Sequence, residues 1–173
     1  MNISVPLTNI RSYAANEFSR LRWRAVRETG WARLVGRNSS LAKLPEGTFQ
    51  KGSSRKFIGE TDILVTEIIG TLYRHSDFDH QFRPLKKNLR ERWINIYLLQ
   101  QKDGWPPILV HKVGNNYFVE DGHHRVSVAR ALGIAFIQAK VWEYASSSKP
   151  VRKCERIECT EQPPVKGYAV IAE

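Results

Sequence analysis

Cysteine, methionine and long apolar runs are what this sequence lacks. Two cysteines in 173 residues cannot form a disulfide framework. Cys154 and Cys159 stand in CERIEC with no neighbouring His to complete a zinc set, so they read as reduced, incidental thiols. No apolar stretch approaches the roughly 18 residues that span a bilayer. The opening segment, MNISVPLTNIRSYAANEF, lacks a basic region followed by an apolar one, so no secretory signal is expected. No internal repeat is found, which disfavours a solenoid. Acid is also in short supply, with Asp+Glu 17 against Lys+Arg 27 and a formal charge of +10. With 42% hydrophobic and 25% charged residues the chain is globular in composition, of one domain with an appendage. A soluble, cytoplasmic, basic protein without a membrane partner is the expectation.

The basic excess is uneven. Residues 1–56 hold eleven Lys/Arg and three Asp/Glu and so carry +8 of the +10. Residues 57–120 sum to zero and residues 121–173 to +2. A basic N-terminal segment on a near-neutral body attracts phosphate backbones, with an attraction that weakens in salt. The same charges also fit a solvated arginine-rich helix face.

Residues 9–29 read as an amphipathic helix, with Ile10, Tyr13, Ala14, Phe18, Leu21 and Ala25 at helical spacing and Arg20, Arg24 and Arg27 alongside. Gly30 is expected to end it, with a further turn over Trp31–Val35 before Gly36. Residues 45–56 (PEGTFQKGSSRK) read as a linker. A strand is expected over Asp62–Thr66, then the loop GTLYRHSDFDHQFRP, then a helix over Leu85–Gln101 closed by Gly104. Pro106-Pro107 introduces a strand over Ile108–Lys112, and Gly114-Asn115-Asn116 turns it into a returning strand, Tyr117–Glu120. A helix from about His124 to Leu132 stops at Gly133, and Ile137–Tyr144 is another strand. The order predicts an α+β fold with a small mixed sheet and helices against it. Three parts follow: 1–56 as helical segment and linker, 57–145 as the domain, and 146–173 as a tail in which Tyr168–Ala172 is a candidate strand. The five Trp are expected mostly in the core or at interfaces.

Asp121-Gly122-His123-His124-Arg125 is the most informative stretch, because it stands between a strand and a helix. The first N–H groups of a helix have no intrahelical partner, and the macrodipole adds positive charge there. Gly122 lets an anion approach the backbone. Arg125 offers a planar donor fork for phosphate oxygens, and His123 and His124 add two imidazoles. Together these make a phosphate site. Asp121 would repel a bare phosphate and fits a magnesium ligand or a base for an incoming hydroxyl. The structural alternative is a tight turn, a core histidine and an Arg125 paired with an acid.

A second cluster, His75, Asp77, Asp79 and His80, admits a metal site, though its spacing follows no ligand rule, and a polar loop capping the next helix is the favoured reading. Tyr73 and Arg74 in the same loop are candidates for phosphate contact.

From about Asp62 to Tyr144, roughly half of the chain, the sequence resembles the ParB/sulfiredoxin-like superfamily. The likeness rests on PPILVHKV, NNYFVEDGHHRVSVARALG and the strands around them. Small bacterial ParB-like proteins, with an arginine-rich N-terminal helix like 9–36, are the most similar members. The resemblance implies nucleotide-phosphate binding at the strand–helix junction. Sulfiredoxins carry Gly-Cys-His-Arg there with a nucleophilic Cys; His123 occupies that place, so that chemistry should be absent. Partition ParB proteins carry Gly-Glu-Arg-Arg to hold CTP, and their helix-turn-helix and dimerisation modules have no counterpart in this sequence. ADP-dependent free-serine kinases carry DGHHR, identical to 121–125, for phosphoryl transfer and nucleotide binding. Their catalytic Glu aligns near Gly70–Tyr73, where no acid stands, so Glu67, Asp77 or Asp79 would have to substitute. Their large second lobe is missing too.

The expected function is therefore nucleotide-phosphate binding (ADP, ATP or CTP, with Mg2+), extending to phosphoryl transfer or nucleotide hydrolysis if the chain is an enzyme. Asp121, His123 and His124 are the candidate catalytic groups and Asp121 the candidate metal ligand. Gly122, His124, Arg125 and Arg74 are the candidate phosphate contacts. The alternatives are a non-catalytic nucleotide switch or DNA-associated module binding DNA through residues 1–56, or a nuclease. A homodimer is compatible with either.

Overall fold

The computed structural model describes residues 7–45, 55–102 and 104–144. Three helices pack on a mixed six-stranded sheet, an α+β arrangement. In chain order these are α1 (Leu7–Leu34), β1 (Ala42–Lys43), β2 (Arg55–Leu64), β3 (Ile68–Thr71), α2 (Arg90–Lys102), β4 (Ile108–Val113), β5 (Asn116–Asp121), α3 (His123–Leu132) and β6 (Phe136–Tyr144). Short 3-10 turns over Val65–Glu67 and Lys87–Leu89 precede β3 and α2.

The strand order is β1-β3-β5-β4-β6-β2. β1, β3 and β5 run parallel, β4 is antiparallel to β5 and parallel to β6, and β2 pairs antiparallel with β6 at the edge. Alternation along β6 sends Ile137, Ala139 and Val141 into the core and leaves Phe136, Gln138 and Lys140 exposed. The core lies between that face and the helices. Trp93 of α2 is its centre: Phe18 of α1 meets the indole edge-on at 5.8 Å, Tyr97 stacks at 5.7 Å, and Nε1 donates to Ser127 Oγ of α3 at 3.0 Å. One fully buried aromatic of this kind contributes about 1.5–3 kcal/mol and here joins all three helices.

Several expectations change. The first helix runs through Gly30 to Leu34, and the left-handed residue comes later, at Gly36. Its inward face is Ala14, Phe18, Leu21 and Ala25 as expected, but Tyr13 is exposed. Trp23 and Trp31 are exposed as well, whereas Trp93 is fully buried. The linker expected over 45–56 gives way to β2 from Arg55, while residues 46–54 lie outside the described part. β2 ends at Leu64, so Val65 and Thr66 belong to a 3-10 turn. The strands β1 and β3 were not expected, and α2 begins at Arg90, with Leu89 still in the 3-10 turn. The tail, including Cys154, Cys159 and the candidate strand at 168–172, lies outside the described residues.

Candidate functional site

β3 and β5 are parallel neighbours, with Thr71 opposite Val119. The segments that leave their C-terminal ends therefore emerge side by side. One is the loop carrying Tyr73 and Arg74; the other is the turn into α3. A cleft of about 420 Å³ opens between them, and α2 closes its far side with Arg92, Ile96 and Leu99. Asp121, Gly122, His123, His124, Arg125 and Arg74, the six residues expected from the sequence, all line this one cleft. Arg92 and Glu120, which the sequence did not single out, line it too.

Gly122 makes the junction. Its φ of +104° lies in the left-handed region, where it serves as the N-cap of α3. A Cβ there would stand 2.4 Å from Ile108 Cγ2, so only glycine fits. The first intrahelical bond runs from the Val126 N–H to the Gly122 carbonyl at 3.0 Å. The amides of His123, His124 and Arg125 thus have no acceptor within the helix.

Both imidazoles are buried, His123 to 4% exposure and His124 to 5%. His123 Nε2 shares a hydrogen bond of 2.6 Å with Thr71 Oγ1, and its ring stacks on Phe78. Thr71 Oγ1 also accepts the Arg74 N–H at 3.1 Å, so this one hydroxyl ties the loop to the helix start. His124 lies edge-on to Phe78 at 5.4 Å, and neither of its ring nitrogens has a hydrogen-bond partner. A buried polar group left in that state costs about 1–3 kcal/mol. Burial pushes both pKa values down to about 4, helped by Arg74 and Arg92. Both rings are neutral at pH 7.

Arg125 is already engaged. Its Nη1 donates to the carbonyls of Pro106 at 2.7 Å and Pro107 at 2.9 Å, and its Nη2 pairs with the Asp121 carboxylate. The fork expected to face a ligand thus braces the cleft wall. Arg74 pairs with Asp77 at 3.2 Å and keeps 47% of its side chain exposed. Arg92 is exposed and makes no hydrogen bond or ion pair among the described residues. The uncommitted donors of the cleft are therefore the α3 amides and Arg92, with Arg74 partly so.

Asp121 Oδ1 accepts no hydrogen bond among the described residues, and its side chain is 60% exposed. Glu120 Oε2 accepts from His111 Nε2 at 2.6 Å, and His111 Nδ1 meets the Tyr144 hydroxyl at 3.1 Å, on the sheet face away from the helices. Magnesium binds through one or two carboxylates plus phosphate oxygens, so a half-free Asp121 at the rim fits it. Among the described residues no group of three His, Cys, Asp or Glu converges as a metal cage.

The second cluster separates. His75 and His80 are exposed. Asp79 is fully buried, accepts from the Gln81 and Arg83 amides at 3.0 and 2.9 Å, and takes Arg83 Nε at 2.7 Å. Arg83 in turn pairs with Glu28 of α1. The loop is knotted on a carboxylate that pins it to α1. It caps a turn within the loop and not the following helix.

No helix among the described residues is long and apolar enough to cross a membrane. No family model, curated protein or solved structure matches this chain.

Proposed function

We propose that the cleft at the start of α3 binds the phosphates of a nucleotide, and that the domain is of the ParB/sulfiredoxin-like kind. The observation that carries this reading is His124, buried without a partner on a cleft that also holds unpaired helix amides and the free cation Arg92. A phosphate supplies the acceptors that this set lacks. Arg92 and Arg74 would hold its outer oxygens, and Asp121 Oδ1 would hold Mg2+. Phosphoryl transfer to an acceptor, or to water, is the further step of this reading. In it Asp121 Oδ1, where it does not hold the metal, takes the proton of the incoming hydroxyl, the bond from phosphorus to the bridging oxygen breaks so that the shortened nucleotide leaves, and Arg92 and Arg74 offset charge on the transferring group. The chain would work as a cytoplasmic protein.

Calorimetry with ADP, ATP, CTP and GTP, each with Mg2+, tests the proposal on the wild type and on Arg92→Ala. Arg92 is exposed and unpaired, so its loss leaves the fold intact. Micromolar binding of one nucleotide, weakened about tenfold or more in Arg92→Ala, is the expected result. Absence of binding to all four would overturn it.

A further inference from the structure

The outer face of α1 has no partner among the described residues. Helical spacing puts Arg20, Trp23, Arg24, Arg27 and Trp31 on one side, opposite the buried Ala14, Phe18, Leu21 and Ala25. Trp23 is 70% exposed and Trp31 69%, and neither makes a ring contact with another described residue. Arg24 and Arg27 make no hydrogen bond or ion pair there. Glu17, bound to Arg20, is the acid on this side, since Glu28 is turned to Arg83. Two large indoles held in water are a poor use of apolar surface unless something covers them.

We infer that this face is a binding platform for single-stranded nucleic acid. Cations and aromatic rings alternate along it. Trp23 lies between Arg20 and Arg27, and Trp31 lies one turn beyond Arg27. The two indoles are eight residues apart, about 12 Å along the axis. Such a row meets a strand in both of its repeating parts: arginines take phosphates and indoles stack on unpaired bases.

Other occupants fit less well. A membrane-surface helix needs a continuous apolar face, and that face of α1 is spent in the core. A second copy docked about a two-fold axis sets these arginines against their own counterparts. A duplex keeps its bases stacked on one another, leaving the indoles nothing to stack on. The platform does not depend on the cleft beside α3.

The test uses the full chain and a fluorescein-labelled oligothymidylate, read by anisotropy and by quenching of Trp fluorescence. Binding with quenching is expected, stronger than for a duplex of equal length. The double variant Trp23→Ala/Trp31→Ala should bind at least about tenfold more weakly. Arg24→Gln/Arg27→Gln should lower the slope of log affinity against log salt by about 1.4, two phosphates' worth for a single strand. Lys140→Gln, which removes an exposed charge from β6, should leave both unchanged. All these side chains are exposed, and circular dichroism checks that each variant folds. No binding at low salt overturns the inference, as does equal binding of duplex, or binding indifferent to the two Trp. Binding to phosphatidylserine vesicles without oligonucleotide binding assigns the face to membranes instead. Concentration-dependent self-association lost in the Trp variant assigns it to a second copy.

Discussion

Arg125 and Asp121, the two charged ends of DGHHR, are bound to each other across the first turn of α3. Each had been expected to face a ligand, and the pairing divides their roles. Arg125 is only 11% exposed and satisfies two proline carbonyls besides, so it acts as a strut. Asp121 keeps one free oxygen in solvent.

That division predicts opposite effects of Asp121→Asn with and without metal. The substitution removes a negative charge from a phosphate site. Pyrophosphate without magnesium should therefore bind several-fold more tightly than to the wild type. With magnesium present, loss of the metal's carboxylate should make nucleotide binding weaker. Folding stability should fall by about 1–3 kcal/mol, because the substitution takes the charged partner from an Arg125 that is only 11% exposed, while the two proline carbonyls still hold it. Paired calorimetric titrations decide it, and an unchanged affinity in both would remove Asp121 from the site.

The two buried histidines predict how stability depends on pH. Their folded pKa values are near 4, below the ordinary value of 6.5. The unfolded chain therefore binds these protons first. The stability that accompanies two neutral rings is fully present above about pH 6.5 and is lost as the pH falls towards 4. A shift of that size is on the order of 3 kcal/mol for each ring. Urea midpoints across pH 4–8 should fall along this course, and His124→Gln should flatten the acid limb by roughly half. A bound phosphate should move both histidine titrations upward, which NMR of the imidazole protons reads directly.

How much of this was legible in the sequence depends on how local each signal was. α3 and its junction were legible because glycine, strand alternation and helical period all change within a few residues of Asp121. The convergence of Arg74 on that junction was expected, but not what brings it there. β3 is four residues long and its neighbour β1 two, too short to show a period. Arg92 was invisible for a related reason: it sits on an ordinary polar helix face, and only the packing of α2 turns that face to the cleft. Trp23 and Trp31 are expected in the core or at an interface, and their place on the helix, away from Ala14, Phe18, Leu21 and Ala25, takes them out of the core. Asp79 reads as part of a polar loop that caps the next helix, and the structural role is right but its target is a turn within the loop. Its burial against Arg83 is set by a turn that its own carboxylate holds together.

Gly122→Ala tests the junction itself. The new methyl would collide with Ile108 Cγ2 while the backbone is held at a φ that alanine resists. Strain of the φ costs about 1–3 kcal/mol. Overpacking against Ile108 adds about 1–3 kcal/mol. The folded state should weaken by a few kcal/mol in urea denaturation, and phosphate affinity should fall further than stability, because the displaced backbone is the one that presents the α3 amides. A companion change separates the two effects. Ile108→Ala removes the Cγ2 that the new methyl meets, so in a double-mutant cycle Gly122→Ala should cost less stability in the Ile108→Ala background than in the wild type. The left-handed φ is still resisted there, and the amides stay out of place. A smaller stability cost with affinity still depressed places the amides at the ligand. A smaller loss of both together makes Gly122 a packing residue and leaves Arg92 and Arg74 as the groups that hold phosphate.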